Sequence, residues 1–285
     1  MVSWLALGLL AFTSYSIATS IDKYVMGERY YPLVVNTVKM LLDGLYLVLI
    51  GSLFFTVTLP HLSQVWPVLV LGILYGASGV YYFKALKEGD VTEVMPYMLG
   101  SRILLVFVGS LLIFQESATW LNILGVVVIL SGVWLILSPE GLPRWDHAVL
   151  LVTVSLVFNV IYSLLAKVLV ADIQPIVVAV MMYGTSALVL TGYLLLRQPL
   201  WKAAERTLGL SGLGHITISA FFGSIGTLLL LSALKVGAAS KVYPLTALET
   251  VFLFLIGVLV MKEKWAWHRA LGVLAVALGI FLVAS

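Results

Sequence analysis

Ten runs of mostly apolar residues, separated by short polar breaks, fill nearly the whole chain. A helix needs about 20 such residues to cross a hydrocarbon layer roughly 30 Å thick, and the runs have about this length. Strands of a membrane barrel would instead alternate polar and apolar residues at every second position. We therefore predict an all-α integral membrane protein with ten transmembrane helices, over residues 2–20, 32–55, 66–84, 91–113, 119–138, 147–167, 175–196, 213–234, 240–261 and 267–284.

The composition agrees with a chain whose solvent is the bilayer. Hydrophobic residues make up 62% of the sequence and charged residues 10%, and the mean hydropathy is +1.12. Soluble domains have about 25% charged residues, so a water-soluble enzyme and a disordered chain are both excluded. The formal net charge of +3 is too small for a nucleic-acid-binding face. We expect membrane lipid and a small molecule as partners, and no nucleic acid.

The second half of the sequence repeats motifs of the first half. Residues 85–89 (Ala-Leu-Lys-Glu-Gly) return as residues 233–237 (Ala-Leu-Lys-Val-Gly). Further corresponding pairs are Pro96 with Pro244, Glu116 with Glu263, Gly125 with Gly272 and Gly132 with Gly279. We predict two units of five helices, 1–140 and 141–285. Because five is an odd number, the second unit enters from the opposite side, which makes the repeats inverted, as in many transporters.

These duplicated motifs resemble those of the drug/metabolite transporter superfamily, EamA type. The resemblance covers the whole chain and implies a ten-helix secondary transporter of small organic solutes, often an exporter, in the cytoplasmic membrane. Similar proteins often carry an arginine in the second helix where this chain has Lys39, and the corresponding residue of the seventh helix is Met182. This departure argues against a strictly two-fold symmetric substrate site.

Two ionisable residues near the middle of the fourth and ninth runs form the first candidate site. Arg102 and Glu249 would each be costly to bury alone, at about 2.5–3.5 kcal/mol on insertion scales. The repeat places Glu249 opposite Ser101, the neighbour of Arg102, so we predict that the two charges pair near the central axis. Such a pair is either a structural tie or a substrate-contacting or gating pair at the midplane.

A second candidate site lies on one face of the second run. Asn36, Lys39 and Asp43 are spaced by one helical turn and share that face. Two interpretations stay open, an internal ion pair that only stabilises the fold, or a cavity-facing pair that touches substrate or a proton. Glu249 and Asp43 are the candidate proton carriers.

Uncharged polar residues recur at helical spacing in four of the runs. Hydroxyl and amide groups commonly form hydrogen bonds between membrane helices, so no single one of them indicates a site. Their alignment in the first, fourth, sixth and ninth runs favours a wet central cavity. The predicted substrate-binding residues, besides Arg102 and Glu249, are Tyr15, Thr19, Tyr97, Ser101, Asn159, Tyr162, Ser163 and Thr246.

The function that these features favour is secondary transport by alternating access. Arg102 suits a carboxylate and Glu249 an ammonium group, so an amino acid or related zwitterion is the first substrate class we expect, with export as the direction. We predict no cofactor, no metal site and no enzymatic activity, and a monomer or weak homodimer. A non-transporting scaffold or receptor and an intramembrane lipid-modifying enzyme are the alternatives. Basic loop residues favour external termini, whereas the family resemblance implies internal ones.

Overall fold

The computed structural model describes residues 3–27, 30–88, 91–137, 147–196, 210–259 and 267–285, and all regular structure in these ranges is helical. The helices are α1 Trp4–Gly27, α2 Pro32–Phe54, α3 Leu62–Glu88, α4 Val91–Phe114, α5 Trp120–Leu137, α6 His147–Asp172, α7 Pro175–Leu196, α8 Leu210–Val236, α9 Ala239–Val242, a 3-10 turn Tyr243–Thr246, α10 Ala247–Leu259 and α11 Trp267–Ala284.

Seven of the described helices are long and apolar enough to cross a membrane. They are α1, α2, α3, α6, α7, α8 and α11, while α4 and α5 contain shorter apolar stretches. Large apolar side chains such as Leu53, Leu188 and Phe281 are exposed on the outside of the bundle. Water would disfavour such a surface and lipid favours it. The protein is therefore an integral, multi-pass membrane protein.

The ninth apolar run does not form the continuous helix that we predicted over 240–261. Short α9 ends at Val242, a 3-10 turn follows, and α10 begins at Ala247. Pro244 lies inside the 3-10 turn; its ring lacks an N–H donor and clashes with a continuing α-helix. The break places Glu249 in the first turn of α10, where a carboxylate is stabilised by the helix dipole.

The two halves of the chain are joined by the extensive packing of α5 against α11. A methyl group on Gly125 would lie 2.8 Å from the carbonyl oxygen of Gly279, and one on Gly132 would lie 2.7 Å from that of Gly272. The backbones therefore touch at both crossings, as small residues allow in membrane helices. Since the earlier glycine of α5 faces the later glycine of α11, the two helices run antiparallel.

Three further pairs of helices, one helix from each half, also pack against each other in antiparallel directions. Helix α1 packs on α8, α3 on α6, and α2 on α7. In each pair, contacts advance along one helix while they retreat along the other: Tyr15 with Thr227 and Asp22 with Ser219, Ser78 with Ser155 and Glu88 with His147, Gly44 with Tyr183 and Gly51 with Ile176. These three pairs, like α5 and α11, are therefore antiparallel.

Two charged side chains, Lys167 and Glu116, fix the junction between α8 and α9. Lys167 donates hydrogen bonds to the carbonyl oxygens of Leu234 and Gly237, at 2.7 and 2.6 Å, and so caps the end of α8. Glu116 accepts hydrogen bonds from the backbone N–H groups of Ala239 and Ser240 at the start of α9, at 2.8 and 2.9 Å. Both charges match the sign of the helix end that they cap. The repeat counterpart of Glu116, Glu263, lies outside the described residues.

Candidate substrate site

A central cavity of about 150 Å³ lies between the two halves of the bundle. Eight helices contribute to its wall, and four of its side chains are ionisable at neutral pH: Asp22 from α1, Lys39 from α2, Arg102 from α4 and Glu249 from α10. Their formal charges cancel. The other polar residues of the wall are Tyr15, Thr19, Asn36, Tyr75, Ser78, Tyr82, Asn159, Tyr162 and Tyr183. The space is large enough for several water molecules or a small solute.

Arg102 is held at the cavity by two tyrosines. Its Nη2 lies 3.4 Å from the hydroxyl oxygen of Tyr162, and its guanidinium carbon lies 5.5 Å from the ring centroid of Tyr243. The cation–π contact with Tyr243 helps to orient the guanidinium. The buried Nε has no hydrogen-bond partner. The Nε–H donor of Arg102 is therefore left for a ligand.

Glu249 and Arg102 face the same cavity, but they do not form the ion pair that we predicted. Within the part of the chain that the structure describes, neither side chain forms an ion pair. The guanidinium of Arg102 contacts Tyr162 and Tyr243 instead. The carboxylate of Glu249 on α10 is still attracted by the charge of Arg102. The repeat correspondence therefore brings the two residues to one space, and the aromatic contacts of Arg102 keep them apart.

Lys39 forms its ion pair with Asp22 of α1 and not, as predicted, with Asp43 of its own helix. Its ammonium also donates a hydrogen bond of 2.6 Å to Ser219 of α8, and the Ser219 hydroxyl donates one of 2.6 Å to Asp22. Helical side chains lean toward the N-terminus, so a lysine leans away from an acidic residue four positions later. The resulting triad ties together α1, α2 and α8.

Asp43 and Asn36 are the two other residues predicted on this face of α2. Asp43 is 0% exposed, and neither of its carboxylate oxygens has a hydrogen-bond partner. Asn36 lines the cavity and donates a hydrogen bond of 3.4 Å to the carbonyl oxygen of Gly76, while its own Oδ1 has no partner. Lys39 is thus in an ion pair, Asn36 has a hydrogen bond at its amide nitrogen but none at its oxygen, and Asp43 has no hydrogen bond.

A chain of hydroxyl groups crosses the cavity wall from α1 to α3. Tyr15 and Tyr183 both share hydrogen bonds with the Thr227 hydroxyl, at 2.7 and 2.8 Å, and the hydroxyls of Tyr75 and Tyr183 are 2.9 Å apart. The ring of Tyr75 also meets that of Tyr162 edge to face, with centroids 5.1 Å apart. Tyr75 and Tyr183 were not among the residues predicted from the sequence. Their position far from the ends of apolar runs, where membrane tyrosines are usually found, is the signal that would have indicated them.

The remaining predicted residues divide between the cavity and its surroundings. Thr19, Asn159 and Tyr162 line the cavity. The others do not contribute to its described wall: Ser163 is buried with its hydroxyl unpaired, Thr246 donates to the backbone of Tyr243, and Ser101 is half-buried beside Arg102. The side chain of Tyr97 lies outside the described residues.

A second, larger groove of about 870 Å³ lies between α2, α3, α6 and α7. Its charged residues, Lys84, Lys87, Glu88 and His147, are all exposed. The central cavity differs because its charged side chains, Asp22, Lys39, Arg102 and Glu249, are buried. We therefore take the central cavity as the candidate substrate site.

Comparisons with known proteins agree with a chain of two similar halves. The model of the EamA-like transporter family matches residues 2–138 and again residues 147–285. The chain therefore belongs to the EamA-like transporter family, within the drug/metabolite transporter superfamily, and the members of this family are transporters. A protein of known crystal structure aligns over 98% of this chain and 95% of its own, with a TM-score of 0.77 and 18% identity, which shows a shared fold. No curated protein matches the sequence.

Proposed function

We propose that this protein exports a small zwitterionic metabolite, with amino acids as the first candidate class, by secondary transport. One observation carries the proposal: Arg102 and Glu249 face one cavity with opposite charges and are not paired with each other. An unpaired buried charge is costly, and a ligand that brings both a carboxylate and an ammonium group satisfies both charges at once. A guanidinium also binds a carboxylate with two parallel hydrogen bonds.

The tyrosine-rich wall of the cavity supports a ligand with an apolar part as well. Rings of Tyr75, Tyr162 and Tyr183 lie around the same space as the two charges. Aromatic faces pack against apolar groups and also attract cations, so they add affinity for an ammonium group. A small amphipathic zwitterion therefore matches both the charges and the aromatic rings of the wall.

We further propose that all ten apolar runs cross the membrane and that the two halves are inverted repeats. The antiparallel packing of α2 on α7 and of α5 on α11 supports this proposal, because each of these pairs joins corresponding helices of the two halves. Corresponding helices that run antiparallel are what a two-fold axis in the membrane plane produces. Rocking of one half against the other then opens the cavity alternately to the two sides.

The proposal also includes the membrane, the oligomeric state and the driving force of transport. We place the protein in the cytoplasmic membrane as a monomer or weak homodimer, with protons or the substrate gradient as the driving force. A receptor or scaffold would bind a ligand in the same cavity without moving it. An intramembrane lipid-modifying enzyme would yield a chemically changed lipid.

A thermal-shift screen of the purified protein tests the proposed ligand class. Amino acids, amines, carboxylates, sugars and nucleotides are compared on the wild type, Arg102→Ala and Glu249→Ala, with Glu88→Ala as a control at an exposed carboxylate. A ligand at 100 times its dissociation constant stabilises a protein by about 2.7 kcal/mol. We expect zwitterions to stabilise the wild type and the control but neither cavity variant. Stabilisation by sugars or nucleotides alone would contradict the proposed substrate class.

A further inference from the structure

We propose that Asp43 is the binding site of a coupling proton, and that Lys39 exchanges Asp22 for Asp43 when this proton leaves. The inference rests on the proposed transport function, and it names one of the two candidate carboxylates and the ion pair through which it acts. Three features carry it: the isolation of Asp43, the position of Lys39, and the charges that surround both residues.

Asp43 packs against the backbone of α8 at Gly223 and is not part of the described lining of the cavity. A methyl group on Gly223 would lie only 2.9 Å from Oδ1 of Asp43, so no water fits between the carboxyl group and that helix. The side chain has no exposed surface, and neither oxygen has a hydrogen-bond partner. An ionised carboxylate without a partner in such a place is very costly, and a bound proton removes the charge. In the conformation described here, Asp43 is the neutral acid.

Lys39 lies beside Asp43 but is bonded elsewhere. The Cε of Lys39 and Oδ1 of Asp43 are both within 4 Å of the same point next to Gly223. The ammonium group is turned from there to Asp22 and Ser219. Rotation about the side-chain bonds of Lys39 therefore brings its charge to Asp43 without any movement of the backbone.

The other groups that face Asp43 favour this exchange. The titratable or charged groups are Asp22 from α1, Lys39 from α2, Tyr75 from α3 and Tyr183 from α7, while α8 approaches Asp43 at Gly223. The two tyrosine hydroxyls bond each other and not Asp43. Asp22 is a second carboxylate that competes for the same ammonium group. One lysine shared by two carboxylates leaves one of them without a cation, and that one binds the proton.

A hard metal cation is a poorer occupant of this position than a proton. Such ions are held by several oxygen ligands at once. Among the described residues, no group of three or more His, Cys, Asp or Glu side chains could hold a metal ion. The carboxyl group of Asp43 stands alone, and a single carboxylate is enough for a proton.

Loss of the proton changes the packing of three helices. When Asp43 gives its proton to water, Lys39 turns to the new carboxylate and leaves Asp22 and Ser219. The tie between α1, α2 and α8 is then broken, and the charge of Asp22 is left facing the cavity, where water enters to solvate it. Proton release at Asp43 is thereby coupled to the opening of a contact between the two halves.

Infrared spectroscopy of the reconstituted protein detects the protonated carboxyl group of Asp43 directly. We expect the carbonyl band of a protonated carboxylic acid in the wild type at neutral pH, its retention in Glu249→Gln and its loss in Asp43→Asn. We also expect the band to shrink in Asp22→Asn, because Lys39 then has only Asp43 as a partner and keeps it ionised. Retention of the full band in Asp43→Asn, or in Asp22→Asn, would overturn the proposal. Asparagine has the shape of the protonated acid, so a failure of Asp43→Asn to fold would also count against it.

Transport assays separate this inference from the proposed function. In vesicles, Asp43→Asn should exchange substrate across the membrane at a rate near that of the wild type, but a pH gradient should no longer drive accumulation. Accumulation driven by sodium, or pH-driven accumulation that survives in Asp43→Asn, would refute the coupling site. Absence of any flux in the wild type would refute the transport function, while the infrared result would still decide whether Asp43 holds a proton.

Discussion

Lys39 of α2 bonds to Asp22, which is 17 residues away on α1, although Asp43 lies one turn further along its own helix. The contact joins the first two helices of the bundle, and Ser219 extends it to α8 in the second half. Breaking a buried ion pair by removing one partner costs about 3–5 kcal/mol, because the other charge is left uncompensated. The cost of removing Asp22 should be smaller than this, because Lys39 can turn to the carboxylate of Asp43. The stabilities of variants at these two positions therefore test the arrangement.

Asp22→Asn should lower the melting temperature moderately, and Asp43→Asn should have little effect on it. The double variant should lose more stability than the two single variants together, because Lys39 then has no carboxylate within reach. Independent sites add within about 0.3–0.5 kcal/mol, so a larger deviation measures the coupling. Melting curves at neutral pH provide the check, and simple additivity would show that Lys39 does not reach Asp43.

Arg102→Lys should keep the stability of the protein near that of the wild type and weaken the binding of carboxylate ligands. Lysine preserves the charge but lacks the planar fork that binds both oxygens of a carboxylate. Hydrogen bonds to charged groups contribute about 1.5–3 kcal/mol, so the loss should be about tenfold or greater in affinity. Titration calorimetry with a zwitterion that stabilises the wild type measures this loss. Wild-type affinity in both Arg102→Lys and Arg102→Gln would mean that Arg102 does not touch the ligand.

Glu249→Gln should discriminate between ligands by their ammonium group. The variant should bind an amino acid at least about tenfold more weakly, because the charge-assisted bond to the ammonium is lost. It should bind the matching carboxylic acid without the amine about as well as the wild type does. Paired titrations with the two ligands test this. A similar loss for both ligands would indicate a structural effect of Glu249 and not a contact with the ammonium.

Gly132→Ala and Gly272→Ala should each destabilise the protein. The added methyl groups would lie 2.7 and 2.6 Å from backbone oxygens at the crossing of α5 and α11, and overpacking of this kind costs about 1–3 kcal/mol. Gly184→Ala and Gly192→Ala are matched controls within α7, where no atom lies within 4 Å of the added methyl. The controls should be neutral or stabilised by up to about 1 kcal/mol through helix propensity. Equal melting temperatures in all four variants would contradict the close crossing.

The helical positions could be predicted from the sequence because the bilayer imposes them. Each apolar run coincides with described helical structure, since backbone groups in lipid must bond within their own segment. The helix ends were less predictable: α1 continues to Gly27 and α3 begins at Leu62, because their terminal turns are polar and lie outside an apolar run. The break at Pro244 required knowledge of the packing, since prolines are tolerated within some membrane helices.

The partners of the buried charges could not be predicted from the sequence. Repeat correspondence brought Arg102 and Glu249 to the same cavity, but the aromatic rings that hold Arg102 come from α6 and from the 3-10 turn. Helical spacing placed Lys39 and Asp43 on one face, yet the direction in which a lysine leans and the approach of α1 decided its partner. Tyr75 and Tyr183 lacked a motif, and only the three-dimensional contacts of α3, α7 and α8 show their hydrogen-bonded chain.

Counterflow in proteoliposomes is the most direct test of transport through the central cavity. Vesicles are loaded with an unlabelled amino acid that stabilises the protein, and uptake of a trace of the labelled compound is followed without any ion gradient. The wild type and Glu88→Ala should accumulate label transiently, while Arg102→Gln should not. Ligand binding by the wild type without counterflow would contradict the proposal and identify a receptor that does not transport.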